Sequence, residues 1–338
     1  MLKDFNWEVV VQCCTYNQSK YICDALNGFT MQVTRFPFVC AIIDDASTDG
    51  EQVVLTHYME EFFNLDNNGV AFIKETDYAK IIFAQHKVNK NCYFIVFLLK
   101  ENLYLKKLGY KRLEYLKQWN IVADYKALCE GDDYWIDPFK LQKQVEFLKT
   151  HNEFSLCGSN GLIIWENLVN PPRYFNHFKE CREISLKEIA GHWVFPTASL
   201  VYRSNIMDSY PEWTKKIYSG DQTLILISAY KGAVYNFSDL TCVYRQSYQN
   251  FYSASAMVRQ RGAGFVQKQH LILYEEYLKY TGDKYKEILE SVIANLKQEI
   301  RFIDLRSKNI LLAFLVMPVY CARKCINKIK HTFLVNHK

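Results

Sequence analysis

Two apolar runs near the N-terminus restrict this chain more than any other feature. Glu8 to Cys14, EVVVQCC, and Phe38 to Ile43, FVCAII, are rich in β-branched residues and nearly unbroken by polar ones. A strand wetted on one face alternates, whereas a continuous run marks a strand covered on both. Each run stops at polar residues, and a helical pattern follows each. Tyr21 to about Met31 places Ile22, Ala25, Leu26 and Phe29 on one helix face. Ser47, Thr48 and Asp49 are helix-capping types ahead of a helix over about Glu51 to Phe63. Strand, helix, strand, helix in this order implies an α/β fold with parallel neighbours and right-handed crossovers.

Further along, Val70 to Ile73, Ile81 to Ala84 and Tyr93 to Leu99 read as short strands. A Lys- and Leu-rich stretch, about Leu105 to Asn120, reads as a helix leading to a strand near Tyr125 to Cys129 that ends in EGDDYW. Asp137-Pro138 opens a helix through PFKLQKQVEFLKTH, with proline in its first turn. Short strands then alternate with polar loops up to Tyr202. Gly220-Asp221 precedes an apolar helix that Gly232 ends. Strands near Val234 to Phe237 and Leu240 to Tyr244 follow, and the pattern is helical from about Ala256. A 338-residue chain that is 49% hydrophobic supports a large core. We divide it into a catalytic domain over 1–250 and a helical C-terminal extension over 251–338.

The eleven cysteines are odd in number and scattered, with no C-x-x-C pair. This fits reduced thiols in a cytoplasmic setting, and MLKDFNWEVVV lacks a signal-peptide layout. A net charge of +5 makes no case for a nucleic-acid partner. From Arg301 onward, however, eight basic residues face one acid, Asp304. An anionic membrane surface is the natural partner of such a tail. Asn309 to Ala322, NILLAFLVMPVYCA, is too short to span a bilayer and contains Pro318. It fits either a segment lying in the membrane interface, peripheral on the inner face of the plasma membrane, or a helix packed on the catalytic domain.

Parallel sheets bind ligands beyond the carboxyl ends of their strands. Three polar clusters fall there: Thr15-Tyr16-Asn17, Asp44-Asp45, and Glu130-Gly131-Asp132-Asp133. The first turn, CCTYNQSK, has no glycine, which excludes a dinucleotide fold of the usual kind, and no P-loop motif occurs. Phosphate charge must therefore be met another way. Hard divalent cations, Mn²⁺ or Mg²⁺, take one or two carboxylates plus substrate phosphates. Asp132 and Asp133 suit that role, with Gly131 freeing the turn and Tyr134 and Trp135 flanking it. In the second half, Arg245 is a cation placed to contact a phosphate.

Three segments carry a family resemblance: VVVQCCTYNQSKYICDALNGFTMQ, FVCAIIDDASTDG and YKALCEGDDYWIDPFKLQKQVEFL. Together they resemble the family 2 glycosyltransferases of the GT-A fold, over roughly residues 7 to 245. The EGDDYW-DP-KLQ-Q run resembles bacterial members that build surface polysaccharides. The resemblance implies a Rossmann-like, mostly parallel sheet flanked by helices, and a nucleotide-sugar donor, UDP-linked in the first instance. It implies that Tyr16 stacks on the base and that Asp45 binds uracil or ribose. Thr15, Asn17, Asp44, Asp132, Trp135 and Arg245 complete the expected substrate contacts. Asp132 and Asp133 match the metal-binding pair, with Asp133 the direct ligand, and Asp221 matches the catalytic base of inverting members.

The chain departs from that family in places. Cys14 stands where many relatives have proline, and Ala46 where many have glycine. Asn64 to Tyr110 is long and divergent. The Q-x-x-R-W motif of processive synthases is missing, which points to transfer of one sugar per encounter, to a glycan or lipid-linked acceptor. Two other readings stay open: a nucleotidyltransferase of similar sheet topology, and a carbohydrate-binding relative without catalysis.

Overall fold

A computed structural model describes residues 2, 5–66, 70–166, 170–246, 261–308, 315–318 and 320. The chain forms two compact units. One comprises Met1–Pro211 with Leu224–Ala256, the other Glu212–Thr223 with Met257–Lys338.

In chain order the elements are β1 (Trp7–Thr15), α1 (Ile22–Thr30), β2 (Phe38–Asp44), α2 (Glu51–Phe62), β3 (Phe72–Glu75), β4 (Ala79–Gln85), β5 (Cys92–Leu99), α3 (Lys111–Gln118), β6 (Ala123–Leu128), β7 (Tyr134–Trp135), α4 (Lys140–Thr150), β8 (Phe154–Trp165), β9 (Arg173–Tyr174), β10 (Arg182–Ile184), α5 (Leu186–Ile189), β11 (Val201–Arg203), α6 (Gly220–Lys231), β12 (Ala233–Gln246), α7 (Phe265–Thr281) and α8 (Lys286–Lys308).

The first unit holds one large sheet in the order β10-β12-β8-β11-β6-β1-β2-β5-β4-β3, with β7 on β12 and β9 on β8. β1 lies between β2 and β6 and is parallel to both, and β5 continues parallel beyond β2. β3, β4 and β11 run antiparallel to their neighbours. The continuous apolar runs are explained by two cores. Val9, Val11, Cys13, Cys40 and Ile42 face one side, where α1, α2 and α4 contribute Leu26, Phe29, Met59, Leu141 and Leu148. Val10, Val39, Ala41 and Ile43 face the other, against Leu103, Leu116 and Ile121. Period-two alternation thus feeds both layers, so β1 and β2 show no polar side.

In the second unit α7 and α8 pack together after a short turn at Gly282–Tyr285. Leu273, Tyr274, Tyr277 and Leu289 are fully buried. Lys297–Glu275 and Lys268–Asp304 pair across the two helices, at 2.9 and 3.3 Å.

Three local expectations change. The helix from Leu105 shortens to α3, because Lys107 adopts φ 58° and the segment ahead of it is bonded elsewhere. The two strands after Gly232 are one strand, β12, with register shifts around Phe237 and Leu240. Pro138 precedes α4 rather than starting it, in a turn where Asp137 Oδ1 accepts from the Phe139 N–H at 2.9 Å. Nine cysteines are free among the described residues. Among those residues no helix is long and apolar enough to cross a membrane. Of Asn309 to Ala322, only 315–318 and 320 are described, so the interfacial segment lies largely outside the described residues.

Candidate active site

The carboxyl ends of β1, β2 and β6 adjoin, since Thr15 pairs with Asp44 and Gln12 with Leu128. The three polar clusters therefore meet. The Gly131 N–H donates to Cys14 O at 3.2 Å, and the Asp45 N–H to Thr15 O at 3.0 Å. A Cβ on Gly131 would collide with Thr15 Oγ1 and lie 2.5 Å from Gln18 Oε1. Only glycine lets the acidic turn come this close to the first loop.

Asn17 and Ala46 hold these loops in the left-handed region, at φ 54° and 63°. Asn17 tolerates it, and its Oδ1 accepts from the Thr48 N–H at 2.7 Å. Ala46 occupies a position whose left-handed geometry suits glycine.

The acidic residues have unlike surroundings. Asp44 is fully buried, with Oδ1 accepting from the Ser47 N–H at 3.1 Å and from Gln52 Nε2 at 2.5 Å. Asp45 is buried too, and its two oxygens accept from the Leu103 and Tyr104 N–H groups at 2.8 and 3.0 Å. Its carboxylate thus organises the segment after β5, which is the bonding that displaced the expected helix start. Tyr16 is half-buried at the end of β1.

Asp133 is 1% exposed. Its Oδ1 accepts from the Arg245 N–H at 2.9 Å, while Oδ2 is buried without a hydrogen-bond partner among the described residues. Burial, then the neighbouring Asp132, push its carboxyl well above the usual range. Burial also raises Asp132, which is half-buried and hydrogen-bonded by Gln18. An unpaired buried carboxylate oxygen beside a second carboxylate is a donor set that suits a divalent cation, whose charge would favour both ionised forms. The two supply a pair rather than a cage: among the described residues no group of three or more His, Cys, Asp or Glu gathers to hold a metal.

Arg245 is bonded to the acidic turn and to α1. Its Nη1 donates to Asp132 O at 3.0 Å, and its Nη2 pairs with Asp24 at 2.7 Å. Its guanidinium lies 4.7 Å from the Tyr21 ring centre and 5.1 Å from that of Tyr134. It clamps the acidic turn. Trp135 departs from its expected role, being a core residue at 1% exposure. Its Nε1 donates to Ala198 O at 2.7 Å, Phe29 meets it edge-on, and Lys140 Nζ lies 4.5 Å from the ring centre. Burial lowers Lys140 to about 8.

Asp221 lies in the second unit, in the first turn of α6, where its Oδ1 accepts from the Gln222 N–H at 2.8 Å.

Sequence reasoning missed three residues. Gln18 follows the first cluster and bonds Asp132. Glu51 is fully buried beneath both loops. Arg112, in α3, is hydrogen-bonded to the Cys14 thiol and lies near Asp45 and Glu130, which hold its charge. The one available signal was Glu51 standing directly after DDASTDG, where an acid at a helix start passes as ordinary.

Comparison with known proteins follows the same lines. No family model matches the chain. Uncharacterized protein Rv1520 of Mycobacterium tuberculosis and Uncharacterized protein Mb1547 of Mycobacterium bovis are each 29% identical over 232 residues. The match covers 69% of this chain and 57% of theirs, so the chain spans little more than half the length of the curated relatives it matches. Among solved structures, TarS 1–349 of S. aureus with UDP-GlcNAc aligns with TM-score 0.55 at 18% identity, covering 86% of this chain and 72% of that one. Mannosyltransferase PcManGT from Pyrobaculum calidifontis, in complex with GDP-Man and Mn²⁺, aligns with TM-score 0.55 at 12% identity, covering 99% and 82%. The fold is the one these solved glycosyltransferases share. The expected α/β class, with a central sheet flanked by helices and a helical C-terminal region, is the observed one; the sheet itself, expected to be mostly parallel, is mixed, parallel through β6, β1, β2 and β5 and between β8 and β12 and antiparallel at its other pairings.

Proposed function

We propose that this chain is a metal-dependent glycosyltransferase that moves one sugar from a nucleotide-sugar donor to an acceptor hydroxyl. The observation that carries this reading is the buried Oδ2 of Asp133, which has no hydrogen-bond partner among the described residues, beside Asp132, where the ends of β1, β2 and β6 adjoin. Solved proteins of this fold hold UDP-GlcNAc, or GDP-Man with Mn²⁺. In this chain Asp133 and Asp132 are the residues to hold Mn²⁺ or Mg²⁺, which supplies positive charge for the donor diphosphate. Tyr16 offers a ring for the nucleotide base, and Asn17 and Asp44 shape the adjoining loops. Asp45 contributes through the Leu103–Tyr104 segment it organises. Arg112 adds a cation at the same strand ends.

Asp221 is the proposed base that takes the proton from the acceptor hydroxyl as its oxygen attacks the anomeric carbon with inversion. The acceptor class is a glycan or a lipid-linked sugar in cell-surface polysaccharide synthesis. The basic residues from Arg301 onward suit an anionic membrane surface on the cytoplasmic side. A screen of UDP-, GDP- and dTDP-sugars with Mn²⁺ or Mg²⁺, scored by nucleotide diphosphate release, tests the reading. Metal-dependent release from one donor class supports it. No release from any donor, together with no nucleotide binding, overturns it.

A further inference from the structure

Glu51 sits in the first turn of α2 with no exposed surface, joined to both donor loops. Its Oε2 accepts from the Gln18 N–H and from Ser47 Oγ, each at 2.9 Å. Ser47 Oγ in turn accepts from the Asn17 N–H at 2.9 Å. The other oxygen, Oε1, meets Thr15 Oγ1. That same hydroxyl stands 2.9 Å from Gln18 Oε1.

The protons here can be counted. Gln18 also bonds the Asp132 side chain. A carboxylate only accepts, so Gln18 turns its NH₂ to Asp132 and its carbonyl to Thr15. Thr15 then has one hydroxyl proton and two acceptor oxygens facing it. The inventory closes when Thr15 donates to Gln18 Oε1 and accepts from a protonated Glu51. Each contact from Glu51 through Thr15 and Gln18 to Asp132 then pairs one donor with one acceptor, and Glu51 carries no buried charge.

Resting on the reading of the acidic turn as the donor and metal site, we propose that Glu51 is a positioning residue that works in its protonated form, directing a hydrogen-bond relay Glu51–Thr15–Gln18–Asp132 that presents the Asp132 carboxylate. Ionised Glu51 would draw the Thr15 hydroxyl to itself, strip Gln18 Oε1 of its donor and loosen the bond to Asp132. The Gln18 N–H and the Ser47 hydroxyl favour the charged form of Glu51, and burial outweighs them. Asp44 from β2 and the Cys13 thiol from β1 lie close, and Asp49 Oδ1 accepts from its backbone N–H at 3.1 Å. Burial, reinforced by Asp44, pushes Glu51 up to about 7.

Glu51→Gln tests the relay, because its amide donates to Thr15 and accepts from Gln18 and Ser47 without a proton to lose. Two readouts separate the relay from the donor reading. Carbon-13 NMR of labelled glutamate, assigned by difference with Glu51→Gln, should show Glu51 protonated at about pH 6 and ionised by about pH 8. Calorimetry with UDP and GDP in the presence of Mn²⁺ should show the affinity of Glu51→Gln relative to wild type rising about 5-fold between those pH values. Thr15→Val should weaken nucleotide binding at both, and Thr15→Ser should restore it. The proposal is overturned if Glu51 is ionised at about pH 6, if the two proteins share one pH profile, or if Glu51→Gln binds about 10-fold more weakly at low pH. Should wild type bind neither nucleotide, the donor reading fails, and the carboxyl titration still decides where the proton sits.

Discussion

The Arg245 N–H donates to Asp133 Oδ1 at 2.9 Å, and Oδ2 of the same carboxylate is buried with no partner among the described residues. One oxygen aims the side chain, and the other is the atom proposed above to meet the metal. A buried carboxylate oxygen left unsatisfied costs about 1–3 kcal/mol, so folding alone gives no reason to keep it.

Asp133→Asn keeps the shape and removes the charge. We expect nucleotide diphosphate release to fall by about 100-fold or more, from the loss of metal-borne charge stabilisation. Thermal stability at neutral pH should hold or rise, because burial disfavours the ionised acid in the free protein. Turnover and melting temperature, measured on the same preparation, check both halves.

Glu51 sets a pH dependence of folding. Its folded pKa is raised from 4.5 to about 7, so the folded state binds more protons than the unfolded one between these values. The free energy of unfolding should therefore fall as pH rises through that window, by at most about 3 kcal/mol for this group. Glu51→Gln should flatten that part of the curve. Urea unfolding across the window, wild type against variant, measures it.

Gly131→Ala places a methyl against Thr15 Oγ1 and Gln18 Oε1. Overpacking of this kind costs about 1–3 kcal/mol. Because it forces the acidic turn off the first loop, nucleotide affinity should fall with stability. Denaturant midpoints and nucleotide titrations check the pair of effects.

Trp135→Phe separates core from substrate contact. Loss of the Nε1 bond to Ala198 O and of the Lys140 contact should lower stability by about 2 kcal/mol. Nucleotide affinity of the folded fraction should change far less. A large affinity loss without a stability loss would return Trp135 to the substrate.

Legibility followed the reach of each interaction. β1, β2 and α1 were readable because burial on both sheet faces leaves an unbroken apolar run, and a helix core face recurs with its own period. The position of Asp44, Asp132 and Asp133 at strand ends was readable because a buried strand announces where it stops: Asp44 ends β2, and Asp132 and Asp133 follow β6. Glu51 was not, since an acid at a helix start looks like a favourable charge at the dipole, and nothing local shows it bonding back to Thr15. The helix expected from Leu105 failed for a similar reason: Asp45, nearly sixty residues earlier, takes the Leu103 and Tyr104 N–H groups. Trp135 carried a motif's promise, but its ring is held by Ala198 and Phe29, which no spacing reveals.

The most direct measurement is a calorimetric titration of UDP and GDP into wild type and Asp133→Asn, each with Mn²⁺ and with a chelator. Binding by wild type that needs Mn²⁺, and is lost in Asp133→Asn, is the expected result. Binding that ignores both the metal and the substitution would contradict the account.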